Sequence, residues 1–429
     1  MSSKGKSSAA TGGGAALVPK LRFPEFQGLE GWKEVSLQKL AGPVADRSAT
    51  GDVDNVLSLS GEHGLVLQSD YFGKKIAGEG TDRYLKIRRD DFVYNDRTTK
   101  ASSFGTIKRL SNYSDGIVSP IYKCFRFHPS ENPVFWEWYF ESGTHDPALG
   151  GLVNEGARAG RFNISVTKFL STNVWRPDEA EQQKIADCLD SLDALIAAQE
   201  RKVEVLRAHK KGLMQQLFPQ EGETQPRLRF PEFEGAGDWE DRAIGDFGQV
   251  VTGSTPSTAE PTFYGDGIPF VSPADISDLR YVEETKTTLT EAGFKKTRPI
   301  RAGSVLFVCI GSTIGKIAQN IRDCATNQQI NAVIPNAKHS DGFVYFALSN
   351  ASDRIALLAG RQAVPIINKS LFSSVRLLVP SLLEQQRIAD CLTSLDDLIA
   401  AEIGKLDTLK THKRGLMQQL FPRVGEVDA

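Results

Sequence analysis

Apolar residues recur along two stretches of this chain at alternating steps of four and three. Ile185, Leu189, Leu192, Ile196, Val203, Leu206, Leu213 and Leu217 lie on one such seam, interrupted by Gln199 and Lys210. Ile388, Leu392, Leu395, Ile399, Leu406, Leu409, Leu416 and Leu420 lie on another, with Glu402 and Lys413 at the matching steps. A heptad stripe this long predicts a helix that no single small globule can cover, so its natural partner is another helix. The boundaries agree. Pro177 and Pro380 precede the stripes, and Asp178 with Glu181 and Ser381 with Glu384 have the spacing of a capping box. Pro219 and Pro422 close them. Rods over 177–219 and 380–422 would be about 60 Å long at about 1.5 Å per residue. Two equivalent rods in one chain can pair antiparallel about a pseudo-twofold axis.

The rods belong to a wider repeat. Glu181-Gln182-Gln183-Lys184-Ile185-Ala186-Asp187-Cys188-Leu189 recurs almost unchanged from Glu384, and Gly212-Leu213-Met214-Gln215-Gln216-Leu217-Phe218-Pro219 recurs from Gly415. Upstream, Leu21-Arg22-Phe23-Pro24-Glu25-Phe26 returns from Leu228, and Trp32 is echoed by Trp239. The segments between, 33–176 and 240–379, do not match, so one frame holds two different inserts. Within the frame, Gln199 with Glu402 and Lys210 with Lys413 either fix the register of the rods or face the helices of a second protein. The cluster Arg207, His209, Lys210 and Lys211 suits a helix C-terminus, with a nucleic-acid or subunit contact as the alternative. Gly212 and Gly415 each cost a helix about 1 kcal/mol, which points to close backbone approach or to early fraying.

The inserts read as mixed α/β (α+β) globules. Short β-rich runs such as 91–94 and 304–308 are bounded by Gly, Pro and Asp. The expected organisation is a disordered tail (1–16), a first globule (17–176), a central repeated helix (177–219), a second globule (220–379), a C-terminal repeated helix (380–422) and a tail (423–429). A hydrophobic content of 40% and a charged content of 24% are those of a soluble globular chain. The net charge of −2 argues against an overall basic field, though not against a local basic face. No apolar run is long enough for a transmembrane helix, and the tail lacks the apolar core of a signal peptide. Five cysteines without a C-x-x-C pair give neither a disulfide framework nor a zinc signature, and fit a reducing cytoplasm. Cys188 and Cys391 are expected to be small buried helix residues.

Candidate chemistry sits in the inserts. In the first, Tyr84, Lys86, Arg88, Arg89, Asn95, Arg97, Thr98 and Lys100 form a basic tract mixed with amide, hydroxyl and aromatic groups. Arg and Lys suit phosphates or guanine edges, and Asn or Gln suits adenine. In the second, Ser254 and Thr255 and the run Asn327, Gln328, Gln329 and Asn331 make comparable polar clusters, with Lys286, Lys295, Lys296, Arg298 and Arg301 between them. Gly311-Ser312-Thr313-Ile314-Gly315-Lys316 resembles a phosphate loop but is one residue short, and Ile317 stands where Mg²⁺ needs a hydroxyl. It reads as a tight loop with exposed backbone amides, and Ser312, Thr313 and Lys316 join the candidate contacts. No nucleophile elbow, metalloprotease or dinucleotide motif appears. A non-catalytic chain is the expectation.

The paired E-Q-Q-[KR]-I-A-D-C-L segments and paired G-L-M-Q-Q-L-F-P ends resemble the frame of the specificity (S) subunits of type I restriction–modification systems. Residues 267–272, 311–316, 326–331 and 116–120 are similar to that family's target-recognition domains. The resemblance implies a non-catalytic subunit that binds double-stranded DNA, each globule reading one half of a split asymmetric target. It implies two methyltransferase subunits docked on the repeated helices, with restriction/translocase subunits further out, and no membrane. S-adenosylmethionine, ATP and Mg²⁺ would be held by those partners. A scaffold joining two ligand-binding globules without DNA, or an enzyme with an unrecognised site, are the readings from other classes.

Overall fold

A computed structural model describes residues 16–48, 55–72, 81–98, 102–152, 164–360 and 364–423. The chain divides into two compact units, Met1–Ala197 with Thr408–Ala429, and Ala198–Asp407. Both mix helix and sheet. Two 39-residue helices, Glu179–Leu217 and Leu382–Leu420, fulfil the heptad expectation and stop just before Pro219 and Pro422. Each contributes one part to either unit.

In the first unit, Trp32–Ser36 pairs antiparallel with Asn173–Arg176, so the insert opens and closes on one clasp directly before the central helix. Above it lies a four-stranded antiparallel sheet in the order Ala41–Pro43, Lys123–Phe127, Phe92–Asn95, Thr106–Arg109. Its two middle strands are covered on both faces. Phe92, Tyr94 and Phe125 enter an aromatic core with Trp136 and Phe169, while Val93 and Cys124 enter a second core with Leu57, Ile87 and Val118. Double burial explains a continuous apolar run where a half-exposed strand would alternate. A second four-stranded sheet, ordered Gly64–Leu67, Val56–Ser60, Asp115–Val118, Leu85–Arg88, carries that second core. Ala16, assigned to the tail by the sequence, pairs with Lys33; the rest of the tail lies outside the described residues.

The second unit repeats the clasp, Glu240–Ala243 on Arg376–Val379, again directly before a long helix. Its principal sheet runs Gly248–Thr252, Ile330–Pro335, Val305–Val308, Ile317–Asn320, Tyr281–Val282. Val305 and Phe307 face one core, and Leu306 and Val308 face another, as in the first unit.

The repeated motifs make the same contacts in each unit. Arg22 Nε and Nη2 donate to Glu181 at 2.8 and 2.7 Å, and Arg229 donates to Glu384 at 2.8 and 2.8 Å. Asp178 and Ser381 cap their helices, accepting from the Glu181 and Glu384 amides. Those carboxylates are taken by arginines, so the reciprocal half of the expected capping box does not form. Trp32 packs edge-on to Phe135 and Phe421 at 5.6 and 6.0 Å. Trp239 does the same with Phe343 and Phe218 at 5.9 and 6.0 Å. Lys413 pairs with Asp193 and covers the Trp138 ring, while Lys210 pairs with Asp396 and covers the Phe346 ring.

These contacts decide two open alternatives. Gln199 Nε2 donates to Glu402 Oε2 at 2.7 Å and to its carbonyl at 2.8 Å, so the polar seam residues satisfy one another within the chain. The Gln199 hydrogen bond, with Lys405 and Lys202 also reaching Glu402, holds its carboxyl down at about 2. Gly212 and Gly415 lie inside continuous helix, and an added Cβ would meet nothing within 4 Å. Neither close approach nor fraying explains them. Gly212→Ala should therefore stabilise the chain by about 1 kcal/mol, visible as a raised midpoint in thermal melting. Cys188 and Cys391 are half-buried, not buried, while Cys124, Cys309 and Cys324 fill the cores.

Candidate nucleic-acid interface

The basic tract of the first unit divides between two sheets. Leu85–Arg88 is an edge strand, and its alternation turns Ile87 inward and Lys86 and Arg88 outward. Arg89 is also exposed and Tyr84 is half-buried. Asp90, with φ 71°, then turns the chain into the inner strand Phe92–Asn95. That corner is locked by Arg109 on Asp90 and Arg126 on the fully buried Asp91. Asn95 spends its side-chain oxygen on the amide of Arg97, which is exposed, and Thr98 is half-buried. Lys100 lies outside the described residues. The exposed cations of 86–89 and Arg97 thus leave from different strands, an arrangement a linear reading misses.

In the second unit three loops are stitched together. The amide of Gly253 donates to Ile330 O at 3.0 Å, and that of Ser254 to Thr326 O at 2.9 Å. This approach requires glycine: a Cβ at 253 would stand 2.1 Å from Asn327 O and 2.2 Å from Thr326 Oγ1. Thr255 Oγ1 donates to Gln328 Oε1 at 2.8 Å. Gln329 joins the glycine loop, its amide nitrogen reaching Ile310 O at 3.4 Å and its carbonyl accepting from Cys309. Ser254, Thr255, Asn327, Gln328 and Gln329 therefore share one surface beside the 311–316 loop. Asn331 does not: it is buried, and its carboxamide oxygen accepts from Thr252 Oγ1 at 2.7 Å.

The 311–316 loop is the turn between Val305–Val308 and Ile317–Asn320, with φ of 97° at Gly311 and 95° at Gly315. It differs from the expected open cradle. The amides of Gly311, Ile314, Gly315 and Lys316 donate to Pro365, Gly311, Val308 and Thr313 carbonyls, so they are not available to a phosphate. Ser312 is exposed and Thr313 half-buried, while the Lys316 ammonium donates to Ile276 O at 3.1 Å. Among the interspersed cations, Arg301 is held bidentate by Asp341. Arg298 is exposed and anchored on Thr252 O at 2.8 Å, one residue from Gly253. The sequence marked Arg298 as basic without distinguishing it; only the fold sets it beside the polar loops. Among the described residues no group of three or more His, Cys, Asp or Glu could hold a metal ion, and no helix is long and apolar enough to cross a membrane.

A family model described as the type I restriction modification DNA specificity domain matches residues 236–411. The type I restriction enzyme HindI specificity subunit of Haemophilus influenzae is 33% identical over 432 residues, covering 82% of this chain and 90% of that protein. The MjaIX specificity subunit of Methanocaldococcus jannaschii is 30% identical over 168 residues, 38% of this chain and 39% of that protein. The S subunit of a type I restriction-modification system from M. genitalium has the same fold, with a TM-score of 0.59 at 15% identity over 95% of this chain and 100% of its own.

Proposed function

The chain belongs to the type I restriction enzyme specificity subunits, and on that premise we propose that it is a DNA-recognition subunit whose two globules, within 17–176 and 220–379, each read one half of a split, asymmetric target. The observation that carries this is a frame repeated contact for contact, Arg22 on Glu181 and Arg229 on Glu384, around two inserts that differ in strand order and surface. An unchanged frame beside changed contents is what two different readers on one mount require.

The repeated helices, 177–219 and 380–422, act as an antiparallel ruler between the readers. The Gln199–Glu402 and Lys210–Asp396 pairs support that direction, since rising numbers on one helix meet falling numbers on the other. Fixed geometry between two DNA-reading elements sets half-site spacing. The outer faces of the helices dock two methyltransferase subunits, which bring in the restriction/translocase subunits. S-adenosylmethionine, ATP and Mg²⁺ belong to those partners. In the phosphate-loop-like turn at 311–316 the amides of Gly311, Ile314, Gly315 and Lys316 are spent internally, which supports placing the nucleotide on a partner. Direct contacts are drawn from Tyr84, Lys86, Arg88, Arg89, Asn95, Arg97, Thr98 and Lys100 in one reader, and from Ser254, Thr255, Ser312, Thr313, Lys316, Asn327, Gln328 and Gln329 in the other; Asn331, buried on Thr252, is set aside. Arg298 adds a phosphate contact whose affinity falls with salt.

Exchanging residues 33–176 for the corresponding segment of a homologue with another target, then mapping methylation in cells with the cognate methyltransferase, tests the reading. One half-site should change and the other persist; a change in both or in neither contradicts it.

A further inference from the structure

We infer that Gln328 is the base-reading side chain of the second globule and that Thr255 fixes it as a hydrogen-bond donor, which selects guanine. This deepens the DNA-reading assignment above and rests on it. Asn327-Gln328-Gln329-Ile330-Asn331 offers four carboxamides, and three are spent inside the protein. Asn327 Oδ1 accepts from the Gln329 amide at 3.1 Å, and its Nδ2 donates to Gln329 Oε1 at 3.0 Å. Gln329 Nε2 turns to Ile310 O. Asn331 is buried on Thr252. Gln328 alone among the four is exposed.

Gln328 is also oriented. Its Oε1 accepts the Thr255 hydroxyl at 2.8 Å. Thr255 is itself held between the Gly253 and Ser254 backbone bonds and Pro256, whose carbonyl accepts from Tyr264 Oη at 2.8 Å. With the oxygen turned toward Thr255, the outward atom is Nε2, which carries two N–H donors and no lone pair to offer. In the major groove guanine presents two adjacent acceptors, N7 and O6, whereas adenine pairs one acceptor with a donor and cytosine presents a donor. A donor-only edge fits guanine best. Thr255 is a positioning residue in this arrangement, and Gln328 the contact.

The test selects randomised duplex DNA with the full-length chain co-purified with its cognate methyltransferase, comparing wild type with Gln328→Ala, Gln328→Glu and Thr255→Val. In wild type, one position of the second half-site should be guanine. Gln328→Ala should lower its enrichment over other bases about tenfold or more, leaving the remaining positions intact. Gln328→Glu replaces the donor by an acceptor of the same shape and should move the preference to cytosine. Thr255→Val frees the carboxamide to turn and should narrow the gap between guanine and adenine there. Unchanged preference in Gln328→Ala, or adenine as the base it governs, overturns the inference while leaving the DNA-reading assignment standing. Failure of the wild-type complex to enrich any sequence overturns the assignment itself.

Discussion

Arg22→Met is expected to destabilise the first unit by about 3–5 kcal/mol, the cost of leaving a buried charge without its partner. Arg22 and Glu181 form a two-pronged pair with side chains only 7% and 1% exposed. The same guanidinium donates to Leu29 O and Glu30 O, so one side chain fastens the turn that leads into Trp32–Ser36 to the start of the central helix. Removing the carboxylate as well, in Arg22→Met/Glu181→Leu, should restore much of the loss, because a buried ion pair replaced by apolar groups of similar volume is often tolerated. Urea unfolding of the two variants checks both claims. A single variant within about 1 kcal/mol of wild type would show that the pair is an ornament of the frame. Arg229→Met should repeat the effect in the second unit, where the arginine is slightly more exposed.

Gly253→Ala is expected to abolish reading by the second globule while sparing the first. Its Cβ would meet the Asn327 carbonyl oxygen at 2.1 Å and the Thr326 oxygens at 2.2 and 2.4 Å. Two of these three are backbone atoms, so the loop must move, breaking the bonds of Gly253 to Ile330 and of Ser254 to Thr326. Overpacking of this kind costs about 1–3 kcal/mol, which the unit can survive, but it separates Thr255 from Gln328. Specific DNA binding by the intact complex should fall about a hundredfold or more, with recognition of the first half-site retained when tested on chimaeric targets, since bidentate base contacts carry about 1–3 kcal/mol each. Wild-type affinity in this variant would mean that the 253–256 loop has no part in recognition.

The rods were readable in the sequence because a heptad is a local, periodic signal, and Pro177, Pro219, Pro380 and Pro422 punctuate it without reference to the rest of the fold. The inner strands were readable too, since double burial leaves an unbroken apolar run at Val305–Val308. What the sequence could not give were pairings between distant segments. Glu181 and Glu384 looked like capping-box partners, because their arginines lie more than 150 residues away. Asn331 looked like its neighbours until Thr252 claimed it, and Gly311 to Lys316 looked open until Pro365 and Val308 filled its donors. Arg298 and Arg301 were equivalent as cations; Asp341 separates them. In each case the deciding partner was tertiary, out of reach of a local reading.

The central claim is one frame and two unlike readers. Methylation mapping of a cell that carries this chain with its cognate methyltransferase tests it most directly. The account predicts a single modified motif made of two different short sequences separated by an unspecified spacer of fixed length. A continuous motif, or a palindrome whose halves are identical, would contradict it.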